Sequence, residues 1–510
     1  MIRCIYLILV CFFLTNCSYT PEQTPQSIVI EFCERIHFQD SVSISKELYF
    51  LRDSMNSKTG VYVLEEGDAS MVSRAWLTEH AEKSIDIQYF IFSTDNVGLI
   101  ACDYLVRAAN KGVKVRILVD DIMVEATGNE LLMIDSHENI EIKIYNPGSN
   151  VGKSVTQKLK KVVFDFQGFN QRMHNKTFIV DGKVVITGGR NIADEYFDYD
   201  HAYNFRDRDV LLLGNVCGDI SKSFIQFWDS EYSVPVSSLV ESIGLNLQDP
   251  NRFNKLHQYA CDSSNFWPQV RQRITQLPEA FKEIVNSGQL VWCNHVSFVS
   301  DVPGKNMHKK IKSGGVTTDS LIALVKNAKT SIEIQSPYLI TTDLGKQVLS
   351  EAVKRGVKIR ILTNSLASTD NLEAFSGYQR DREALLQLGV RIFEFKPDAK
   401  ERYKIMTGAL QKTINYSPIF GLHAKSMVID DYITVVGTFN LDPRSAHLNT
   451  ECITIIRDKT IASGVLKGME TEFDSDNSWE VTFDFNPDKE AGTKKQVKAW
   501  TRKIVPKEIL

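Results

Sequence analysis

Two stretches of this chain, 249 positions apart, carry the same polar residues at the same spacing. Met173-His174-Asn175-Lys176-Thr177-Phe178-Ile179-Val180-Asp181 matches Leu422-His423-Ala424-Lys425-Ser426-Met427-Val428-Ile429-Asp430, and the same offset carries Gly188 onto Gly437 and Asn191 onto Asn440. Upstream, Glu82 to Asp121 has a counterpart in Lys329 to Ser365. Each begins with an apolar run of strand character and continues with a helical period, Leu105, Ala108 and Ala109 or Val348, Leu349 and Val353. Lys111-Gly112-Val113 or Arg355-Gly356-Val357 then stops the helix and opens a second apolar strand, which makes each unit a βαβ segment with a parallel strand pair. A duplicated α/β chain follows. The expected organisation is a leader over 1–17, an N-terminal segment over 18–65, a first half over 66–245, a connecting region over 246–292, a second half over 293–485 and a basic tail over 486–510. With 510 residues, 43% apolar and 24% charged, the composition allows two large cores and excludes wholesale disorder. A net charge of -4 excludes a uniformly basic nucleic-acid binder but not a local basic cleft.

His and Lys two positions apart in extended backbone project to one face, while Asn175 or Ala424 between them points away. A histidine near neutral pH can attack phosphorus or move a proton, and a neighbouring lysine can hold non-bridging phosphate oxygens. Asp181 and Asp430 follow the next apolar run, where an acid either orients an imidazole or ends the strand as a turn residue. Asn191 and Asn440, after Gly188 and Gly437, offer short polar donors where backbone can approach an anion. Taken singly, each of these is ordinary surface or turn sequence. Their repetition in one order points to a composite site, with Lys176, Lys425, Asn191 and Asn440 binding phosphate. Two imidazoliums close together repel, which leads to the expectation of one neutral and one protonated histidine.

These residues resemble the duplicated HxKxxxxD motifs of the phospholipase D superfamily. The stretch from His423 to Glu451 agrees throughout, including Arg444, Ser445 and Asn449; the first motif departs after Asn191 and leaves Asp209 as the expected counterpart of Glu451. The resemblance covers about 65–485 and implies two mixed-sheet α/β/α halves sharing one active-site cleft. Together with Gly-Gly-Arg-Asn-Ile-Ala in the first motif and Val299 to Lys305, it is similar to the shorter bacterial cardiolipin synthases. By that resemblance one histidine, here assigned as His174, takes a phosphatidyl group as phosphohistidine, and His423 serves as acid and then base. A glycerophospholipid is the implied donor and phosphatidylglycerol the acceptor, with no metal or other cofactor. The alternatives from the same chemistry are hydrolysis to phosphatidic acid and, less favoured, cleavage of nucleic acid.

The apolar run Ile5 to Leu14 spans about 15 Å as a helix, half a bilayer core, which suits a signal sequence. Leu14-Thr15-Asn16-Cys17 resembles a bacterial lipoprotein box, with Cys17 as the lipidation site. Export to the cell envelope and peripheral or lipid-anchored membrane association are therefore expected. Basic residues near Lys305 to Lys312 and from Lys494 to Lys507 around Trp500 are suited to an anionic lipid surface, and Lys153, Lys158, Lys160, Lys161 and Arg172 form a basic approach to the first motif. The nine cysteines form no CxxC pair or Cys/His cluster of metal-site spacing.

Overall fold

In a computed structural model of the chain, residues 43–148, 150–151, 171–241, 244–275, 277–305, 314–406, 418–507 and 510 are described. The expected leader with Cys17, the basic residues Lys153 to Lys161 and the stretch beyond Lys305 lie outside the described residues.

One sheet has the strand order Val291–Cys293, Thr59–Leu64, Asp209–Gly214, Val184–Gly188, Thr177–Val180, Ser84–Tyr89, Lys114–Asp120, Ile140–Tyr145 and Ser233–Pro235. The other runs Val296–Ser300, Cys452–Arg457, Ile433–Gly437, Ser426–Ile429, Ser331–Gln335, Lys358–Asn364, Arg391–Phe395 and Ser478–Val481. From Thr59–Leu64 and Val296–Ser300 onward the two orders match strand for strand. In each, three consecutive strands are parallel and the neighbours on either side antiparallel. The expected mixed sheets and the duplication are both present.

The local sequence explains the parallel units. Asp95 accepts from the Gly98 N–H at 3.0 Å and starts helix Asn96–Asn110; Thr342 accepts from the Gly345 N–H at 3.0 Å and starts helix Asp343–Lys354. Both helices end on a glycine in the left-handed region, Gly112 at φ 93° and Gly356 at φ 91°, which turns the chain into the second parallel strand.

Three apolar cores separate the layers. Outer helices cover one face of each sheet, through Trp76, Tyr104 and Leu105 in the first half and Leu324, Leu349 and Leu385 in the second. The inner faces share a single core in which Ile179, Leu212 and Phe224 meet Leu362, Phe420, Val428 and Met469, with helices Cys217–Trp228 and Lys459–Phe473 between the sheets. The halves therefore bury one common surface. They are also joined by backbone: Tyr203–Arg206 pairs in parallel with Ile419–Leu422, and Met173 bridges Thr450 in the counterpart position.

The connecting region is part of the first half's outer layer, because its helices Asn254–Cys261, Pro268–Thr275 and Leu277–Asn286 pack on helices Asn96–Asn110 and Gly67–His80. In the tail, helix Thr493–Arg502 packs on Leu372–Gln387, and Leu510 is buried against Ile340 and Ala374. Among the described residues no helix is long and apolar enough to cross a membrane.

Candidate active site

His174 and His423 lie just ahead of strands Thr177–Val180 and Ser426–Ile429, in short extended segments held by the opposite half. The His174 N–H donates to the Thr450 carbonyl at 3.0 Å, and the His423 and Ala424 N–H groups both donate to the Arg206 carbonyl, at 2.8 and 3.0 Å. Asn175, which the strand alternation turns away from the cleft, accepts from Thr450 Oγ1 at 2.7 Å and donates to Ser300 Oγ at 2.9 Å. Within each motif the lysine folds back on its own histidine: Lys176 Nζ donates to the His174 carbonyl at 2.9 Å and Lys425 Nζ to the His423 carbonyl at 2.6 Å.

The imidazoles are oriented crosswise. His174 Nδ1 lies 2.8 Å from Glu451 Oε2, and His423 Nδ1 lies 2.6 Å from Asp207 Oδ2. Each histidine thus takes its carboxylate from the other half. Burial would raise the carboxyl groups, but His174 with Thr438 and Lys176 in one case, and His423 with Lys425 and Arg190 in the other, together outweigh it, and both Glu451 and Asp207 are lowered. An ionised carboxylate only accepts, so each Nδ1 carries the hydrogen and each Nε2 is left for the cleft. Phe90 packs edge-on to His174 at 5.2 Å between ring centres, and Tyr196 edge-on to His423 at 5.1 Å.

Four buried basic groups face one another. Burial, and then Lys176 and Lys425 working against Glu451, bring His174 down to about 4. Burial, Lys425 and Lys176 bring His423 down to about 3 against the pull of Asp207. Burial likewise lowers Lys176 to about 8 and Lys425 to about 7. Each histidine feels the other half's lysine, which places both pairs in one electrostatic site. Burial and both lysines lower each histidine, so neither imidazole is set apart from the other as the protonated one before a substrate binds. A bound phosphodiester anion reverses the sign of that field and favours protonation.

Other expected site residues have different places. Asp181 accepts from the backbone N–H groups of Glu82, Lys83 and Ser84 at 2.9, 2.7 and 2.8 Å. Asp430 accepts from Lys329, Thr330 and Ser331 in the same way. Both stand just past the end of the strand remote from the histidine, seven residues on, and tie a turn in left-handed backbone, at φ 51° and 53°. They do not orient an imidazole. Asp209 is also corrected as the counterpart of Glu451. Gly188 pairs with Asp209 and Gly437 with Ile453, so Glu451, two residues before Ile453, corresponds to Asp207. Asp209 instead accepts from Ser70 Oγ at 2.8 Å and pairs with Arg74 at 3.0 Å beneath the site. Sequence reading missed Asp207 because the second acid of Arg206-Asp207-Arg208-Asp209 begins the apolar strand.

Asn191 and Asn440 are buried beside the motifs. Asn191 Oδ1 accepts from the Ile91 N–H at 3.1 Å, while Asn440 Oδ1 has no hydrogen-bond partner among the described residues. Ser445 supports Asn440, its Oγ accepting from the Asn440 N–H at 3.1 Å. Gly188 and Gly437 are required by packing: an added Cβ would lie 2.4 Å from Asp209 Oδ1 or 2.3 Å from the Cys452 carbonyl oxygen. Lys305, expected on a basic surface, is 5% exposed; it pairs with Asp301 at 2.8 Å and donates to the Ser445 carbonyl at 2.8 Å. Among the described residues no group of three or more His, Cys, Asp or Glu is placed to hold a metal ion.

The family described as "Cardiolipin synthase, PLD-like domain" matches residues 77–228 and again 321–476, one match on each half and each spanning one His-Lys pair. The chain belongs to the phospholipase D superfamily. Cardiolipin synthase C of Escherichia coli is 32% identical over 429 residues, covering 83% of this chain and 87% of that protein. Cardiolipin synthase 1 of Bacillus cereus is 25% identical over 417 residues, covering 82% of this chain and 67% of that protein. The crystal structure of phosphatidylserine synthase from Haemophilus influenzae superposes with a TM-score of 0.58 at 13% identity, over 91% of this chain and all of that one, which is a likeness of fold. Phospholipase D superfamily chemistry, transfer or hydrolysis at a phosphodiester, is the chemistry of this enzyme.

Proposed function

We propose that this chain is a phosphatidyltransferase that makes cardiolipin, moving a phosphatidyl group from a glycerophospholipid to the headgroup hydroxyl of phosphatidylglycerol. The observation that carries the reading is the crosswise pairing of His174 with Glu451 and His423 with Asp207. Such a pair supplies both a nucleophile and its acid and base, and similarity to two proteins named cardiolipin synthases supplies the substrate class. His423 takes up a proton on Nε2 as the phosphodiester anion binds; His174 Nε2 then attacks phosphorus while the bond to the leaving headgroup oxygen breaks, and His423 Nε2–H gives that oxygen its proton. His423 then takes the proton of the incoming hydroxyl as its oxygen attacks phosphorus and the phosphorus–nitrogen bond breaks. Lys176, Lys425 and the amides of Asn191 and Asn440 hold the non-bridging oxygens. Hydrolysis is the same second step with water in place of the alcohol.

The reading includes an exported enzyme at the membrane surface of a bacterial envelope, anchored through Cys17 or held peripherally. Helix Thr493–Arg502 supports the peripheral part: Trp500 is 69% exposed and Ile504, just beyond it, 87% exposed, beside the exposed Lys494, Lys498 and Lys503. The test is a product analysis with labelled phosphatidylethanolamine and phosphatidylglycerol, separate and mixed. The expected product is a diphosphatidyl lipid that needs phosphatidylglycerol. Phosphatidic acid alone, in every mixture, would replace the transferase with a phospholipase.

A further inference from the structure

The first half contains an apolar cavity of about 490 Å³ that the phosphoryl chemistry does not use. It lies between strands Lys114–Asp120 and Ile140–Tyr145 and the helices Asn96–Asn110, Gly128–Asp135 and Asn254–Cys261. Ile117, Val119, Leu131, Ile134 and Leu256 contribute to its wall. Its volume falls within the range of roughly 300–1,000 Å³ typical of ligand pockets. An apolar lining of that extent gains contacts and sheds water when an apolar chain enters.

The rim ties the cavity to the histidine. Phe90 packs on the His174 ring, the Ile91 N–H is held by Asn191 Oδ1, Phe92 bridges Ile192, and Phe92, Ser93 and Thr94 border the cavity. Phe90 and Phe92 are two residues apart, about 7 Å in extended chain. In the second half the registers align Tyr338 with Ile91 and Leu339 with Phe92; Tyr338 donates to Asp370 at 2.8 Å, and the apolar pocket beside Ile340 measures only about 100 Å³. Of the apolar spaces beside the two half-sites, the one on the His174 side is several times the larger.

We infer that this cavity takes one fatty acyl chain of the glycerophospholipid whose phosphate sits between Lys176 and Lys425. The inference rests on the phospholipid reading above and adds to it a site for chain recognition on the His174 side. Chain length then contributes to binding, at about fourfold in affinity for each buried methylene.

Ala126→Phe and Cys102→Phe place a ring in the cavity without touching the catalytic groups. The variants are compared with the unaltered enzyme on dioleoyl and on dihexanoyl phosphatidylglycerol in mixed micelles. The expected result is a loss of kcat/KM of about tenfold or more on the long chain, with the short chain changed less than about twofold. Equal losses on both, or no loss on either, would overturn the acyl site. If the unaltered enzyme turns over neither lipid, the phospholipid reading fails by itself. The cavity is then judged by binding of fluorescent cis-parinaric acid: loss of binding in the filled variants sustains an acyl site, and binding that is absent or unaltered by filling removes it. Should the variants not fold, a phosphatidylglycerol with a photoactivatable chain end is used on the unaltered protein. Labelling of helix Gly128–Asp135 is expected, and labelling confined to other segments would contradict the assignment.

Discussion

Each motif imidazole is oriented by a carboxylate from the other half, and the substitutions that matter most for the proposed chemistry follow from that pairing. Asp207→Asn and Glu451→Gln keep shape but remove the charge that fixes Nδ1–H and stabilises an imidazolium. Each is expected to lower kcat by about 10²- to 10⁴-fold with the protein still folded, measured by steady-state turnover alongside thermal melting. Asp181→Asn has the opposite signature. Asparagine tolerates the left-handed backbone at this position but loses the charged acceptor for three N–H groups, so a stability loss of about 1–3 kcal/mol is expected with kcat in the folded enzyme nearly unchanged. A collapse of kcat without loss of stability would return Asp181 to the chemistry.

At the scale of elements, the turn after Val184–Gly188 sets how closely the Asp207 segment approaches. A Cβ on Gly189 would lie 2.1 Å from Asp207 Oδ1, so Gly189→Ala must displace that carboxylate from His423. A fall in kcat of about 10- to 100-fold with little change in KM is expected. In the second half Thr438 stands at the equivalent place and donates its hydroxyl to Glu451 at 2.5 Å, so the contact there is a hydrogen bond rather than a clearance. The paired βαβ units, the glycine stops and the His-Lys motifs were legible in the sequence because each depends on spacing within a short segment. The carboxylate partners were not. A linear reading attaches an acid to the nearest histidine, which selects Asp181, whereas the fold brings Glu451 to His174 across 277 positions and Asp207 to His423 across 216. The flanking arginines are buried and paired as well, Arg206 with Glu65 and Glu472 and Arg208 with Glu65 and Gln335.

In the proposed mechanism the whole molecule works as one enzyme because neither half holds a complete site, and this appears in its pH dependence. The nucleophile must be neutral, so kcat/KM falls as pH drops through about 4, where His174 gains a proton. His423 must take up a proton with the substrate and the lysines must be charged, so it also falls as pH rises, with further losses at about 7 and about 8 where Lys425 and Lys176 lose their protons. Arginine keeps its charge throughout this range, so Lys425→Arg is expected to move the alkaline limb upward even if the maximal rate declines. An unmoved alkaline limb would assign it to another group.

The central claim is that the two half-sites form one centre for covalent transfer through a histidine. The direct measurement is rapid alkaline quenching of the enzyme with phosphatidylglycerol labelled with radioactive phosphorus in the phosphodiester, followed by mapping of the labelled peptide. The account predicts an acid-labile, base-stable phosphohistidine on His174, absent in His174→Ala and still formed, but not discharged at a normal rate, when His423 is weakened as a base by Asp207→Asn. Turnover of the substrate with no labelled histidine at any time, or full activity after loss of either imidazole, would contradict it.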